Sequence, residues 1–100
     1  MSLKKVSIET LKSELGTVNL KNDFSVEIKT NENGSLYFTN GELYIMFNAK
    51  TEDEGMNELC NNIIDCIQNY YNVPASKLKS SMSKDINSAL KKYIKDYEIF

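Results

Sequence analysis

Between Phe24 and Phe47 apolar residues fall at alternate positions, and this period confines the middle of the chain to paired strands. Phe24, Val26 and Ile28 alternate with Ser25, Glu27 and Lys29. Leu36 and Phe38 flank Tyr37, and Leu43, Ile45 and Phe47 alternate with Tyr44, Met46 and Asn48. The pattern predicts a three-stranded antiparallel meander. Parity then constrains the turns. Asn40-Gly41, taken as a two-residue type I′ turn, pairs Phe38 with Leu43 and Leu36 with Ile45 on one face. Treating Asn33-Gly34 the same way would turn the apolar residues of the first strand to the wrong side. A three-residue loop, Glu32-Asn33-Gly34 with Gly34 left-handed, sets Ile28 opposite Phe38 instead, so a bulged turn is expected there.

The flanking segments read as helical. Ser7 to about Leu15 has a capping Ser7, a Val6 placed to meet Leu11, apolar residues at Ile8, Leu11 and Leu15, and a Gly16 stop. Val18 and Leu20 add a possible fourth, short strand. After the meander, Thr51-Glu52-Asp53-Glu54 forms a capping box. Met56, Leu59, Cys60, Ile63, Ile67, Tyr70 and Tyr71 recur at helical spacing until Asn72-Val73-Pro74. From Ala75 a second apolar stripe runs through Leu78, Met82, Ile86, Leu90, Tyr93 and Ile94 to Tyr97. It either continues unbroken or breaks near Ser83. The expected fold is a single α+β domain over residues 1–100: a short N-terminal helix, the meander, then two helices packed on one sheet face.

Composition excludes more than it assigns. The 100 residues hold 12 lysines and 14 acids, with no arginine, histidine or tryptophan. Imidazole bases, His metal ligands and bidentate guanidinium contacts are therefore absent. No nucleophile has a matching base, and no phosphate loop is present, so no catalytic residue and no cofactor is assigned. All-lysine cations with abundant asparagine fit an A/T-rich coding bias, as in a low-GC bacterium or its phage. No apolar run follows Met1–Val6, and none approaches the roughly 20 residues of a membrane span. The expected location is the cytoplasm, with no membrane contact and with reduced cysteines.

Candidate sites are few. Cys60 and Cys66 lack metal-ligand spacing and lie about 9 Å apart along a helix, too far for a disulfide, so they read as small core residues. The acids Glu52, Asp53 and Glu54 suit the positive end of a helix dipole better than a cation site. Glu98-Ile99-Phe100 reads as a tail packed on the sheet. The tyrosines are more suggestive. With Asn40-Gly41 as the turn, Tyr37 and Tyr44 pair on the face opposite the core, with Met46 beside them. Either the N-terminal helix covers that face, or it is an interface.

Charge is uneven along the chain. Residues 1–72 carry six lysines against eleven acids, and residues 73–100 carry six lysines against three acids. Residues 63–82 resemble a helix-turn-helix DNA reader, with Ile67, Tyr71, Val73 and Leu78 at its apolar positions and Asn72 at its turn. That resemblance implies DNA contacts from Lys77, Lys79 and Lys84. Gln68 and Pro74 depart from the pattern, and an ordinary helical hairpin is the preferred reading. The leading expectation is a non-enzymatic protein-binding module. Tyr37, Tyr44 and Met46 would make the contact, with Glu27, Glu42 and Glu52 around them. A concrete form is an inhibitor or accessory protein of a phage or other mobile element, blocking a partner's basic surface. A DNA-binding regulator and a homodimer built on the tyrosine face are the alternatives.

Overall fold

In the computed structural model, which describes residues 3–100, the chain is an α+β fold of seven strands in two antiparallel sheets with two helices. Sheet A has the order β1-β4-β5-β6, from β1 (Leu3–Ser7), β4 (Ser25–Thr30), β5 (Leu36–Asn40) and β6 (Ile45–Ala49). Sheet B has the order β2-β3-β7, from β2 (Thr10–Ser13), β3 (Gly16–Leu20) and β7 (Ile94–Ile99). Helix α1 (Glu52–Cys66) packs against β2 and β3 of one sheet and β5 and β6 of the other. Helix α2 (Ser81–Tyr93) packs on the π-helical turn Ile67–Tyr71 that ends α1.

The expected N-terminal helix does not form. Residues 3–13 and 16–30 instead make one long hairpin closed by Glu14-Leu15, with Ser13 opposite Gly16 at one end and Leu3 opposite Lys29 at the other. The spacing of Ile8 and Leu11 satisfies a helix, but a nine-residue helix gains little on its own, while each arm of the hairpin supplies the other's hydrogen bonds. Ile8 is buried between β1 and β2 and Leu11 within β2, and Leu15 is left half exposed in the turn. Gly16 is required by close approach: a Cβ there would collide with the backbone carbonyl of Glu98 on β7.

The hairpin is bent where three extra residues, Lys21, Asn22 and Asp23, interrupt one arm. Leu20 N–H donates to Glu9 C=O at 2.7 Å, and the next bond runs from Ile8 N–H to Phe24 C=O at 2.8 Å. Asn22 and Asp23 are both left-handed, at φ 58° and 57°. These residue types tolerate that region best after glycine. Below the bend the hairpin belongs to sheet B, and above it to sheet A.

The three-stranded meander is overturned by two sheets of seven strands, in which β4, β5 and β6 are only part of a four-stranded sheet edged by β1. Ile28 faces Phe38, Gly34 is left-handed at φ 86°, and its N–H donates to Asn31 C=O at 3.0 Å, as the three-residue loop requires. The β5–β6 turn differs. It has four residues, Gly41–Tyr44, so Phe38 faces Phe47 and Leu36 faces Ala49. The Asn40 side chain explains the change. Its Oδ1 accepts from Leu43 N–H at 2.9 Å and its Nδ2 donates to Ser25 C=O at 2.8 Å. This folds Leu43 into the core from the turn itself.

The C-terminal half is corrected in two places. Serines 80 and 83 form a capping box at the start of α2, with Ser83 N–H donating to Ser80 Oγ at 3.0 Å. The stripe therefore breaks there and not within a continuous helix. Beyond Tyr93 the chain is strand β7, added to β3. A register shift at Asn19/Leu20 places Leu20 opposite Ile94 and Asn19 opposite Asp96. That one-residue bulge turns Ile94 and Tyr97 to the same side, reproducing a helical spacing in extended chain. The tail is not simply packed on a sheet: Ile99 lies within β7, and Phe100 is 73 % exposed. The helices also do not share one sheet face, because α1 bridges both sheets.

Helix α1 starts at the expected Thr51 cap, but the capping box is not closed, because Glu54 reaches past Thr51 to Lys50. Thr51 Oγ1 accepts from Glu54 N–H at 3.2 Å, while the Glu54 carboxylate takes the N–H of Lys50. Its first turn sits on sheet A through Gly55, where an added Cβ would overlap the Phe38 ring. Phe38 is fully buried and stacked on Phe47 with centroids 5.1 Å apart, so it has little room to yield. Gly55→Ala gains about 1 kcal/mol of helix propensity but overpacks this contact at a typical 1–3 kcal/mol. A net loss of up to about 2 kcal/mol in urea unfolding is expected, with Phe38→Leu relieving part of it in the double variant. Gly41→Ala, with open space around it, should change stability by less than about 0.5 kcal/mol.

Cys60 and Cys66 are buried and free, Cys60 Sγ lying 3.8 Å from Gly16 C=O. Burial first, and then the Asp65 charge, push the Cys66 thiol up to about 11. The folded state thus holds this proton more tightly than the unfolded chain. Stability should fall as pH rises from about 9 to about 11, in the interval where only the unfolded state has lost it. Equilibrium unfolding across that range, repeated with Cys66→Ala, checks the sign: the Cys66→Ala chain should show the weaker decline.

Candidate interaction surface

Alternation along the strands of sheet A separates a core face from an outer one. Val26, Ile28, Phe38 and Ile45 point to the core. The opposite face carries two cross-strand rows. Leu3, Lys29, Tyr37 and Asn48 form one, and Lys5, Glu27, Thr39 and Met46 form the other. Both helices pack elsewhere, α1 on the core side and α2 on the π turn, and the N-terminal helix, one of the two alternatives for this face, is absent. Met46 is 68 % exposed and Leu3 66 %, at opposite margins of the sheet, and Tyr37 is half-buried between them.

Three of the six residues expected to bind a partner therefore share one surface: Glu27, Tyr37 and Met46. The other three are elsewhere. Tyr44 is not paired with Tyr37 but sits in the β5–β6 turn at φ 57°, with its hydroxyl donating to Asp85 Oδ2 at 2.9 Å. Glu42, in the same turn, accepts from the Tyr93 hydroxyl at 2.6 Å and lies 3.9 Å from Lys92 Nζ. Glu52 heads α1 and pairs with Lys4 at 3.1 Å, a contact that ties β1 to the helix start.

The turn and α2 enclose a cleft of about 350 Å³ lined by Glu42, Tyr44, Asp85, Ser88 and Lys92. Sequence reasoning placed none of the α2 residues here, because it packed the second helix on a sheet face and not beside the β5–β6 turn. The hydrogen bond to Asp85 raises the Tyr44 phenol, with desolvation and the Asp85 charge adding to it. The Tyr93 hydroxyl, followed by the Glu42 charge, raises Lys92. Both shifts move away from neutrality, so each group keeps its proton at pH 7 and neither becomes a general base. A larger, more polar cleft of about 600 Å³ lies at the hairpin bend, lined in part by Glu9, Asn19, Asp23 and Lys95.

The lysines of the DNA-binding alternative are exposed but not arranged on one helix. Lys77 ends the 3-10 turn Ala75–Lys77, Lys79 lies in the connection that follows, and Lys84 is in the first turn of α2. The helix expected from Ala75 thus begins only at Ser81, after the 3-10 turn. Among the described residues no group of three or more cysteines and acids is placed to hold a metal ion. No helix of the described residues is long and apolar enough to cross a membrane. Comparison of the chain with protein-family models, with curated proteins and with solved structures finds no match.

The left-handed Tyr44 is a local strain of about 1–2 kcal/mol for a side chain with a Cβ. Its side chain returns only an exposed hydrogen bond. Tyr44→Gly should leave unfolding free energy unchanged or raise it by up to about 1 kcal/mol, whereas the β-branched Tyr44→Val should lower it by more than about 1 kcal/mol. Thermal and urea unfolding of the pair decide whether backbone strain or the Asp85 contact dominates.

Proposed function

We propose that this protein is a non-enzymatic protein-binding module that engages its partner through the outer face of sheet A. The observation that carries this reading is the uncovered face itself, with Leu3, Tyr37 and Met46 in two cross-strand rows beside Glu27. A sheet face in contact with water alone is ordinarily polar at such positions. Aromatic residues and methionine are the types enriched where surfaces meet proteins. The outer face itself is of mixed charge, with Lys5 and Lys29 beside Glu27, and the acids Glu54 and Glu58 of α1 stand along its β6 margin, so a basic contact on the partner is favoured at that margin. An inhibitor or accessory protein acting in the cytoplasm on such a surface, in a phage or a low-GC bacterium, is the concrete form this takes. A homodimer through the same face, and DNA binding through Lys77, Lys79 and Lys84, have less support, since neither accounts for the acidic rim.

The test is affinity capture from the source cell, followed by reconstitution with the purified partner. Tyr37→Lys and Met46→Asp should each weaken binding at least about tenfold, with unchanged thermal unfolding. Lys77→Glu with Lys79→Glu should leave it intact. Equal binding by all variants would sink the assignment of this face. A gel shift at low salt abolished only by the lysine variants would favour DNA binding instead.

A further inference from the structure

Strand β6 has the one uncharged sequence among the edge strands of the described residues. β1 carries Lys4 and Lys5, β2 carries Lys12, and β7 carries Lys95, Asp96 and Glu98, whereas β6 reads Ile-Met-Phe-Asn-Ala. Charged residues on an edge normally discourage further pairing. The free side of β6 can be located from hydrogen bonds. Asn31 N–H donates to Ser35 C=O, so by two-residue alternation Lys29/Tyr37 and Glu27/Thr39 are the bonded pairs between β4 and β5. The amides of Leu36, Phe38 and Asn40 then face β6 and bond Ala49, Phe47 and Ile45. This leaves the N–H and C=O of Met46 and Asn48 pointing away from the sheet. No group among the described residues takes them. The next outward amide, Lys50, is already held by the Glu54 carboxylate.

Beside this edge lies a cleft of about 350 Å³ between β6 and α1, lined by Phe47, Asn48, Ala49, Glu54, Asn57 and Glu58. An added strand would place alternate side chains into that cleft, against an apolar floor and two carboxylates, and the others beside Met46 on the outer face. We propose that β6 accepts an extended segment of a partner protein as a fifth strand of sheet A, with lysine or arginine at alternate positions facing Glu54 and Glu58. The proposal deepens the protein-binding reading and rests on it. A second copy of this chain fits poorly. In antiparallel pairing about Phe47, each Lys50 falls beside the other copy's Tyr44, away from Glu54 and Glu58, and no cation enters either cleft.

The test uses the full chain and a synthetic eight-residue peptide of alternating lysine and valine, with two control peptides. One has glutamate for lysine, and the other keeps lysine but is N-methylated at alternate backbone amides. Proton–nitrogen NMR should show the lysine peptide protecting the Met46 and Asn48 amides from exchange while leaving Phe47 unchanged. Glutamate replacement and N-methylation should each weaken binding at least about tenfold, as should Glu58→Lys in the protein. Undiminished binding of the N-methylated peptide, or no protection at Met46 and Asn48, would overturn strand addition. Concentration-dependent dimerisation by light scattering, with those same amides protected in the chain alone, would replace the partner by a second copy. If Tyr37→Lys still abolishes capture of a natural partner while the lysine peptide fails to protect the edge, the sheet-face reading survives and only strand addition falls.

Discussion

The bend at Lys21–Asp23 is the constraint on which the rest of the molecule depends. Without three unpaired residues in one arm, the hairpin of residues 3–30 would be a single flat ribbon with one apolar side. With them, its lower half turns into sheet B and its upper half into sheet A, and both apolar sides close on α1. The same residues finish α2. Lys21 N–H donates to Tyr93 C=O at 2.8 Å and Asn22 Nδ2 to Lys92 C=O at 2.7 Å, meeting carbonyls that a helix end leaves unsatisfied. Phe24, immediately after the bend, packs edge-on against Tyr93 with centroids 5.3 Å apart. One local irregularity thus divides the sheets, ends a helix and fixes where β7 begins.

What was legible in the sequence follows from which signals are local. The Thr51 cap, the left-handed Gly34 loop and the pairing of Ile28 with Phe38 are each set within a few residues, and all appear in the structure. The failures are non-local. Ile8 and Leu11 suit either a helix or a bent strand, and only the partner arm decides. Ile94 and Tyr97 have helical spacing because a bulge opposite Asn19/Leu20 inserts a residue. The four-residue turn after Asn40 depends on a side-chain bond to Ser25 in β4, which no pattern within the turn reveals.

The surface residues were legible to the extent that parity was. Placing Phe38 opposite Phe47 and not Leu43 moves the register by four, an even number, so Tyr37 and Met46 stay on the outer face with Glu27. Tyr44 left that face because the longer turn absorbed it. Glu52 was drawn off by Lys4, whose proximity depends on β1 being a strand. An edge is a property of sheet order, and sheet order was not available before the structure. Hence the uncharged character of β6 carried no meaning in the sequence alone.

Charge distribution reinforces the asymmetry between the edges. From Thr51 to Ser76 the chain has five acids and no lysine, and these residues build α1 and the π turn. Lysines 84, 91 and 92 lie on α2, with Lys95 in β7. A basic strand approaching β6 meets Glu54 and Glu58, whereas the same strand approaching β7 meets Lys95 on an edge already carrying mixed charge. Over distances within the screening length of about 10 Å at 0.1 M salt, such a field orients a partner before contact and discourages the wrong edge. In the proposed strand addition, the open backbone of β6 would supply pairing without sequence preference, and α1 the sign of charge that makes the pairing selective.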